Sequence, residues 1–273
     1  MKTRIITAIV LLCIALPLVI YSYTVAFPIA IAIINVVGVY EMLSCMKMKG
    51  KYFLSVPLYL FGAAMPFLLR YLKSEMVEIL PKLVIALLFF ALYLLTVVVF
   101  SHGTLNIGEV FASAMLSLYV IGAGSCILYI RDLTHGMYLW IFIFIAAWVT
   151  DIFAYFTGMF FGKHKLIPDV SPKKTVEGSI GGIVFCVLAF VIYGLILNHH
   201  FEPNISLAVC AASGLIASVV SQLGDLSMSV IKRNYGVKDF GKLFPGHGGI
   251  LDRFDSIMAV AVVLAIAAQF MEA

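Results

Sequence analysis

The chain has 273 residues, 63% of them hydrophobic and 12% charged, with a formal net charge of +4 and a mean hydropathy of +1.10. Soluble globular chains run near half apolar and a quarter charged, so a water-soluble enzyme, a disordered chain and a soluble domain on a single anchor are all excluded. The 21 glycines have no period, and Cys13, Cys45, Cys126, Cys186 and Cys210 each stand alone in an apolar run. That excludes a collagen-like or disulfide-stapled chain and marks the cysteines as small core hydrophobes.

A helix needs about 20 apolar residues to cross ~30 Å of hydrocarbon. Cut at its charge clusters, the sequence predicts about nine such helices, taken here in chain order. The first, 5–22, follows Lys2 and Arg4 like a signal sequence, but no small-residue cleavage pattern comes after Pro17, so it is read as a retained helix. The second, 26–46, carries Glu41, and the third, 53–69, carries Pro57 and Pro66. Spans 83–100 and 109–130 follow, then 138–161 with Asp151, 180–197, and 205–230 with Asp225. The ninth, 249–270, is apolar only from Ile257 to Met271, about 22 Å of helix, so its first turns are drawn into the membrane interface. The runs are continuous instead of alternating, which excludes a β-barrel.

The expected fold is therefore all-α: a polytopic membrane bundle forming one integral domain over 1–273. Residues 1–135 supply amino-terminal helices, and 136–273 supply the helices and loops that carry the chemistry. Nine crossings put the amino terminus and the loops near 47–52, 101–108, 162–179 and 231–248 on one side, with 14 of the 18 Lys and Arg when Arg253 at the start of the ninth helix is included. By the positive-inside rule that side, and the amino terminus, are cytoplasmic.

Charge within hydrocarbon costs about 2.5–3.5 kcal/mol on insertion scales, so acids in or against it are functional candidates. They are Glu41, Asp151, Asp225 and the pair Asp252/Asp255. Counting ~1.5 Å per residue from the nearest loop lysine puts Asp225 ~10 Å, Glu41 ~9 Å and Asp151 ~18 Å inside the basic boundary. Asp252 and Asp255 are three apart, and Ser221, Asp225 and Ser229 are spaced by four, so each set shares a helix face. Asp225, Asp252 and Asp255 are expected to converge. Three carboxylates in low dielectric call for a cation, and Mg²⁺ binds one or two carboxylates while keeping positions for substrate phosphates.

Beside the acids lie two basic, glycine-rich loops. One carries Lys232, Arg233, Lys238, Lys242 and His247 and runs into Gly246, Gly248 and Gly249 before the last helix. The other carries Lys163, Lys165, Lys173 and Lys174 and leads to Gly178, Gly181 and Gly182. Backbone N–H groups of such glycines at a helix start form an anion site, so the pattern describes a site for a polyphosphate and its metal. Gly236 to Leu243 has G-x-x-x-x-G-K but ends in Leu and follows no strand, so it is not a Walker loop. His199-His200 and the sequon at Asn204 are read as incidental.

The stretch Ser229–Asp255, SVIKRNYGVKDFGKLFPGHGGILDRFD, resembles the signature of the phosphatidate cytidylyltransferases, the CDP-diacylglycerol synthases, and Asp151–Gly182 resembles that family's second shared region. The resemblance implies that CTP and phosphatidic acid are the substrates, giving CDP-diacylglycerol and pyrophosphate in a Mg²⁺-dependent, multi-span enzyme acting as a homodimer, with a second metal or a monovalent cation left open. It implies Asp225, Asp252 and Asp255 as metal-site acids. It places Ser229, Lys232, Arg233, Lys238, Asp239, Lys242, His247, Gly248, Gly249 and Arg253 in the signature, and Asp151, Ser171, Lys173, Lys174, Thr175 and Glu177 in the second region. Inferred roles are catalysis for Lys232, Arg233 and His247 beside the acids, with His247 or Asp151 serving if a base is needed, and substrate binding for the rest apart from Ser171. Membrane lipid is the expected partner, nucleic acid is not, and a bacterial inner membrane is the expected location. A rival ion-coupled transporter would need acids near mid-membrane with access from both sides. A rival CDP-alcohol phosphotransferase would need an Asp-Gly-x-x-Ala-Arg element, which is missing.

Overall fold

A computed structural model describes residue 13 and residues 15–71, 76–200 and 205–271. Its order is α1 (Ala26–Cys45), α2 (Tyr52–Tyr71), α3 (Met76–Phe100), α4 (Ile107–Arg131), α5 (Gly136–Leu139), α6 (Ile141–Phe161), β1 (Lys165–Ile167), β2 (Ser171–Thr175), α7 (Val176–His200), α8 (Leu207–Asn234) and α9 (Leu251–Met271). The fold is a polytopic helical membrane protein. Among the described residues seven helical stretches are long and apolar enough to span a bilayer, α5 and α6 counting as one, and Val84–Phe100 of α3 is a further, shorter apolar stretch. Of the nine expected spans, the first lies mostly outside the described residues, although residues 15–20 are helical. The two least regular candidates both form helices. α2 keeps Pro57 and Pro66 inside it, as membrane helices do when neighbours satisfy the freed backbone, and α9 continues to Met271.

Large apolar side chains face outward throughout: Phe53 is 81% exposed, Phe160 70% and Phe89 69%. In water such a surface would aggregate; against lipid it is the stable arrangement. Cys45, Cys186 and Cys210 are buried as expected, whereas Cys13 lies exposed, so it is not a core residue.

The chain forms two compact units, one of Leu12–Ser125 and one containing Cys126–Ala273. The break between the two units lies inside α4. In the first unit, fully buried Asn35 on α1 donates through Nδ2 to the Gly62 carbonyl on α2 (3.4 Å), the Ile121 carbonyl (3.4 Å) and Ser125 Oγ (3.2 Å) on α4. Gly124 leaves room for the amide, since a Cβ there would collide with Asn35 Oδ1. Arg70 closes the far end of α2 by donating to the Thr24 and Ser22 carbonyls at 2.8 and 3.2 Å.

In the second unit α6 packs on α7, α7 on α8, and α8 on α9, with α6 also touching α8 and α9. Small residues bring the backbones together. A Cβ on Gly182 would lie 2.9 Å from the Thr150 carbonyl oxygen, one on Gly178 2.6 Å from that of Ala154, and one on Gly224 3.1 Å from that of Asp255. Gly178, Gly181 and Gly182 were expected as an anion-binding loop. They lie instead within α7, buried against α6, because that helix starts at Val176. Between α6 and α7, β1 and β2 form a short antiparallel hairpin pairing Lys165 with Thr175 and Ile167 with Ser171. Phe142 meets Phe190 and Tyr193 at 4.6 and 4.8 Å between centroids, Phe153 stacks on Phe185, and Thr150 donates to Ser218 Oγ at 2.9 Å.

Interhelical hydrogen bonds in membranes are worth about 0.6 kcal/mol on average and up to about 1.7. Asn35→Leu is expected to lower stability by about 1–2 kcal/mol. Gly124→Ala should cost more, because the new methyl displaces the amide. Unfolding midpoints in mixed detergent check both, and a Gly124→Ala protein as stable as the native one would contradict the packing.

Candidate active site

Most of the charged residues of the second unit gather toward one end, where α6 ends, α7 and α9 begin and α8 runs out into its loop. Asp225 lies in the last third of α8, next to Gly224, where the α8 and α9 backbones approach at Asp255. Asp151 on α6, Asp225 on α8 and Asp255 on α9 lie close enough for each to feel the others' charge, with Lys174, Lys232 and Arg253 as the balancing cations. Lys174, on the second hairpin strand, places Nζ 2.5 Å from Asp225 Oδ2, both side chains being partly exposed. Asp151, read as the deepest acid, stands exposed on α6 facing this group.

Asp252 is placed differently. It is buried, with Oδ1 2.8 Å from the Lys232 ammonium, while Oδ2 accepts the N–H of Phe240 at 2.8 Å and of Gly249 at 2.9 Å. The bond to Gly249 reaches back three residues, to the chain just ahead of α9. The Lys232 ammonium also lies 5.2 Å from the centre of the Phe240 ring. The structure therefore brings Asp225 and Asp255 together with Asp151, and ties Asp252 to Lys232. The shared face of Asp252 and Asp255 does not lead both carboxylates to one place: one turns to the loop, the other to α8. Gly248, at φ +84°, packs so that a Cβ would lie 2.6 Å from Asp252 Oδ2. The N–H of Gly249, expected to meet a phosphate, already holds an anion belonging to the chain.

Around this centre lie the remaining candidates. Lys173, Lys238, Asp239, Lys242 and Arg253 are exposed, as is Arg233, whose Nη1 donates to the Val237 carbonyl at 3.5 Å. Ser171 and Ser229 are half-buried. His247 is half-buried and bonded through its backbone to the Phe244 carbonyl, and its Nδ1 is buried without a partner among the described residues. Thr175 is buried, its Oγ1 accepting the Gly178 N–H at 3.1 Å and filling the space left by Gly158 and Gly162. Glu177, in the first turn of α7, receives the His164 N–H at 3.2 Å and faces its Nδ1 at 2.7 Å, closing the base of the hairpin. Glu41 belongs to the other unit, where it is buried on α1. Two contributors escaped sequence reasoning, His164 and Phe240. Phe240 acts through its backbone N–H, which no residue pattern encodes, and His164 carried no signal beyond lying between lysines.

The donor set suits a hard cation: oxygen ligands from carboxylates on three helices, one of them now facing an ammonium. Among the described residues no group of three or more His, Cys, Asp or Glu side chains draws together tightly enough to enclose an ion. That is compatible with Mg²⁺, which takes one or two carboxylates and completes its shell with water and phosphate oxygens.

A model of the cytidylyltransferase family matches residues 2–271. Proteins named phosphatidate cytidylyltransferase are similar along nearly their whole length. That of Staphylococcus saprophyticus subsp. saprophyticus is 36% identical over 276 aligned positions, covering 97% of this chain and 98% of its own. Those of Staphylococcus aureus and Staphylococcus epidermidis are 35% identical, with the same coverage.

Gly248→Ala forces a methyl into the left-handed region, at about 1–2 kcal/mol, and against the Asp252 carboxylate. Trypsin cleavage at Lys238 and Lys242 in detergent should speed up several-fold, and unchanged cleavage would contradict the close contact.

Proposed function

Since the chain belongs to the cytidylyltransferase family, we propose that it transfers the cytidylyl group of CTP to phosphatidic acid, giving CDP-diacylglycerol and pyrophosphate in phospholipid biosynthesis. The observation that carries this reading is near-full-length similarity to phosphatidate cytidylyltransferases, joined to a cluster of acids and bases at one end of a membrane bundle.

One substrate is a lipid and the other a water-soluble nucleotide, so the reaction has to take place where headgroups meet water. A phosphate oxygen of the lipid attacks the α-phosphorus of CTP in line; the new P–O bond forms as the bond to the β,γ-pyrophosphate breaks, and the leaving group departs with the electron pair. Such transfers depend on positioning and charge neutralisation, so no Ser or Cys nucleophile is required. A phosphate monoester is already ionised at its attacking oxygen near neutral pH, which makes a general base optional; Asp151 and His247 are the groups on hand.

The exposed cations Lys173, Arg233, Lys238, Lys242 and Arg253 are suited to the triphosphate and the incoming lipid phosphate, arginines by bidentate contact and lysines as point charges. Lys174 is suited to follow charge from Asp225 to a phosphate as substrate enters. Asp225 and Asp255 are the carboxylates to hold Mg²⁺, and Asp252 would join them only by exchanging Lys232 for the cation. When bound, Mg²⁺ would supply charge neutralisation at the phosphate oxygens. Thr175, Glu177 and the closely packed glycines keep the hairpin and helix ends in register rather than contact substrate. The lysine and arginine distribution supports a site on the cytoplasmic face, and the bacterial relatives support an inner membrane. The working unit is taken as a homodimer, as the resemblance implies.

Purified protein given α-labelled CTP, phosphatidic acid and Mg²⁺ should convert label into a lipid-extractable cytidylate; no such product with any divalent ion would overturn the reading. Asp225→Asn should lower kcat by about 10²–10³ while KM for the lipid stays within about threefold, the pattern of an interaction realised in the transition state. Normal turnover in that variant would move the chemistry elsewhere.

A further inference from the structure

The loop from Tyr235 to Ile250 has little regular structure: a single bridge between Phe244 and Gly248, and left-handed glycines at 236, 246 and 248. A segment of this length needs ties to the body of the protein to hold one shape. Two of its backbone ties converge on one carboxylate. Asp252 holds the loop's middle at the Phe240 N–H and its end at the Gly249 N–H, while Lys232, on the last turn of α8, grips the other oxygen and covers the Phe240 ring. The loop is thereby divided into two arcs, one presenting Lys238 and the other presenting Lys242 and His247.

We propose that Lys232 and Asp252 are a positioning pair, which fixes this loop in its nucleotide-binding shape without either side chain touching substrate. Burial carries the argument. The Lys232 side chain is 11% exposed and that of Asp252 2%, so the ammonium is out of reach of a triphosphate arriving from water, unlike those of Lys238 and Lys242. Both Asp252 oxygens are already directed at donors, three in all, which leaves Asp225 and Asp255 as the acids open to a cation. The two charges belong together: removing one leaves the other buried and uncompensated, whereas removing both is far better tolerated. The partly exposed pair of Lys174 and Asp225 is under a weaker constraint, because water can take up either charge left alone.

That asymmetry supplies the test. Asp252→Asn, Lys232→Met and the double variant are compared by amide hydrogen exchange over residues 237–250 and by steady-state kinetics. Asp252→Asn should speed loop exchange by at least about tenfold. The double variant, in which the new amide oxygen at position 252 can still accept the two backbone N–H groups, should return to within about threefold of native. KM for CTP should rise and fall with loop exchange while kcat changes less. The kinetic arm rests on the cytidylyl-transfer reading; the exchange arm does not, so a missing activity and a failed proposal are distinguishable. If Asp252→Asn does not accumulate as folded protein, Lys232→Gln, which leaves both backbone bonds intact, should still loosen the loop about threefold. Loop exchange unchanged in the single variants, or a double variant no better than Asp252→Asn, would overturn the proposal.

Discussion

Charge in a bilayer-spanning protein has to be answered by charge, and the second unit is organised by that constraint. Asp225 is met by Lys174, Asp252 by Lys232 and two backbone N–H groups, and Asp255 and Asp151 by Lys232, Lys174 and Arg253 at longer range. These cations come from different segments: the hairpin before α7, the end of α8 and the start of α9. Satisfying the acids therefore draws three otherwise separate pieces of chain to one end of the bundle. Glycines on α7 and α8 let the helix backbones come close enough for those side chains to reach.

The same constraint explains the site's composition. An acid cluster large enough to hold a divalent cation is unstable without one unless lysines stand in, and lysines that stand in for a cation are well placed to receive phosphate when it comes. On the proposed function, the partly exposed Lys174 serves both uses, pairing with Asp225 in the resting protein and facing phosphate when substrate enters, while the buried Lys232 serves only the first. The cytidylyltransferase similarity gives the chemistry its name, and the geometry shows where a chain with 12% charged residues concentrates its charge.

Much of this was legible beforehand. Hydropathy marks the spans because a bilayer of fixed thickness demands a fixed length of apolar helix, and α1, α4 and α8 begin and end within a few residues of expectation. The acids and lysines that meet in the second unit were legible too, since polar side chains in hydrocarbon are conspicuous. Their directions were not. Asp252 and Asp255 share a helix face by spacing, yet a backbone N–H twelve residues away, at Phe240, turns one of them to the loop. Gly178, Gly181 and Gly182 look like a phosphate loop in sequence because a glycine that frees a backbone and one that admits a neighbouring helix are written alike. Cys13 sits in an apolar run but faces outward, because in lipid an apolar run has two apolar sides.

The central claim is that Asp225 and Asp255 are the acids a divalent cation joins when nucleotide is bound. Its most direct measurement is electron paramagnetic resonance of Mn²⁺ added to the purified protein with CTP, native against Asp225→Asn and Asp255→Asn. The account predicts a bound-Mn²⁺ signal in the native protein that weakens at least about tenfold in affinity in either variant, the scale of losing one of two carboxylate ligands. Equal Mn²⁺ binding in all three proteins would contradict it.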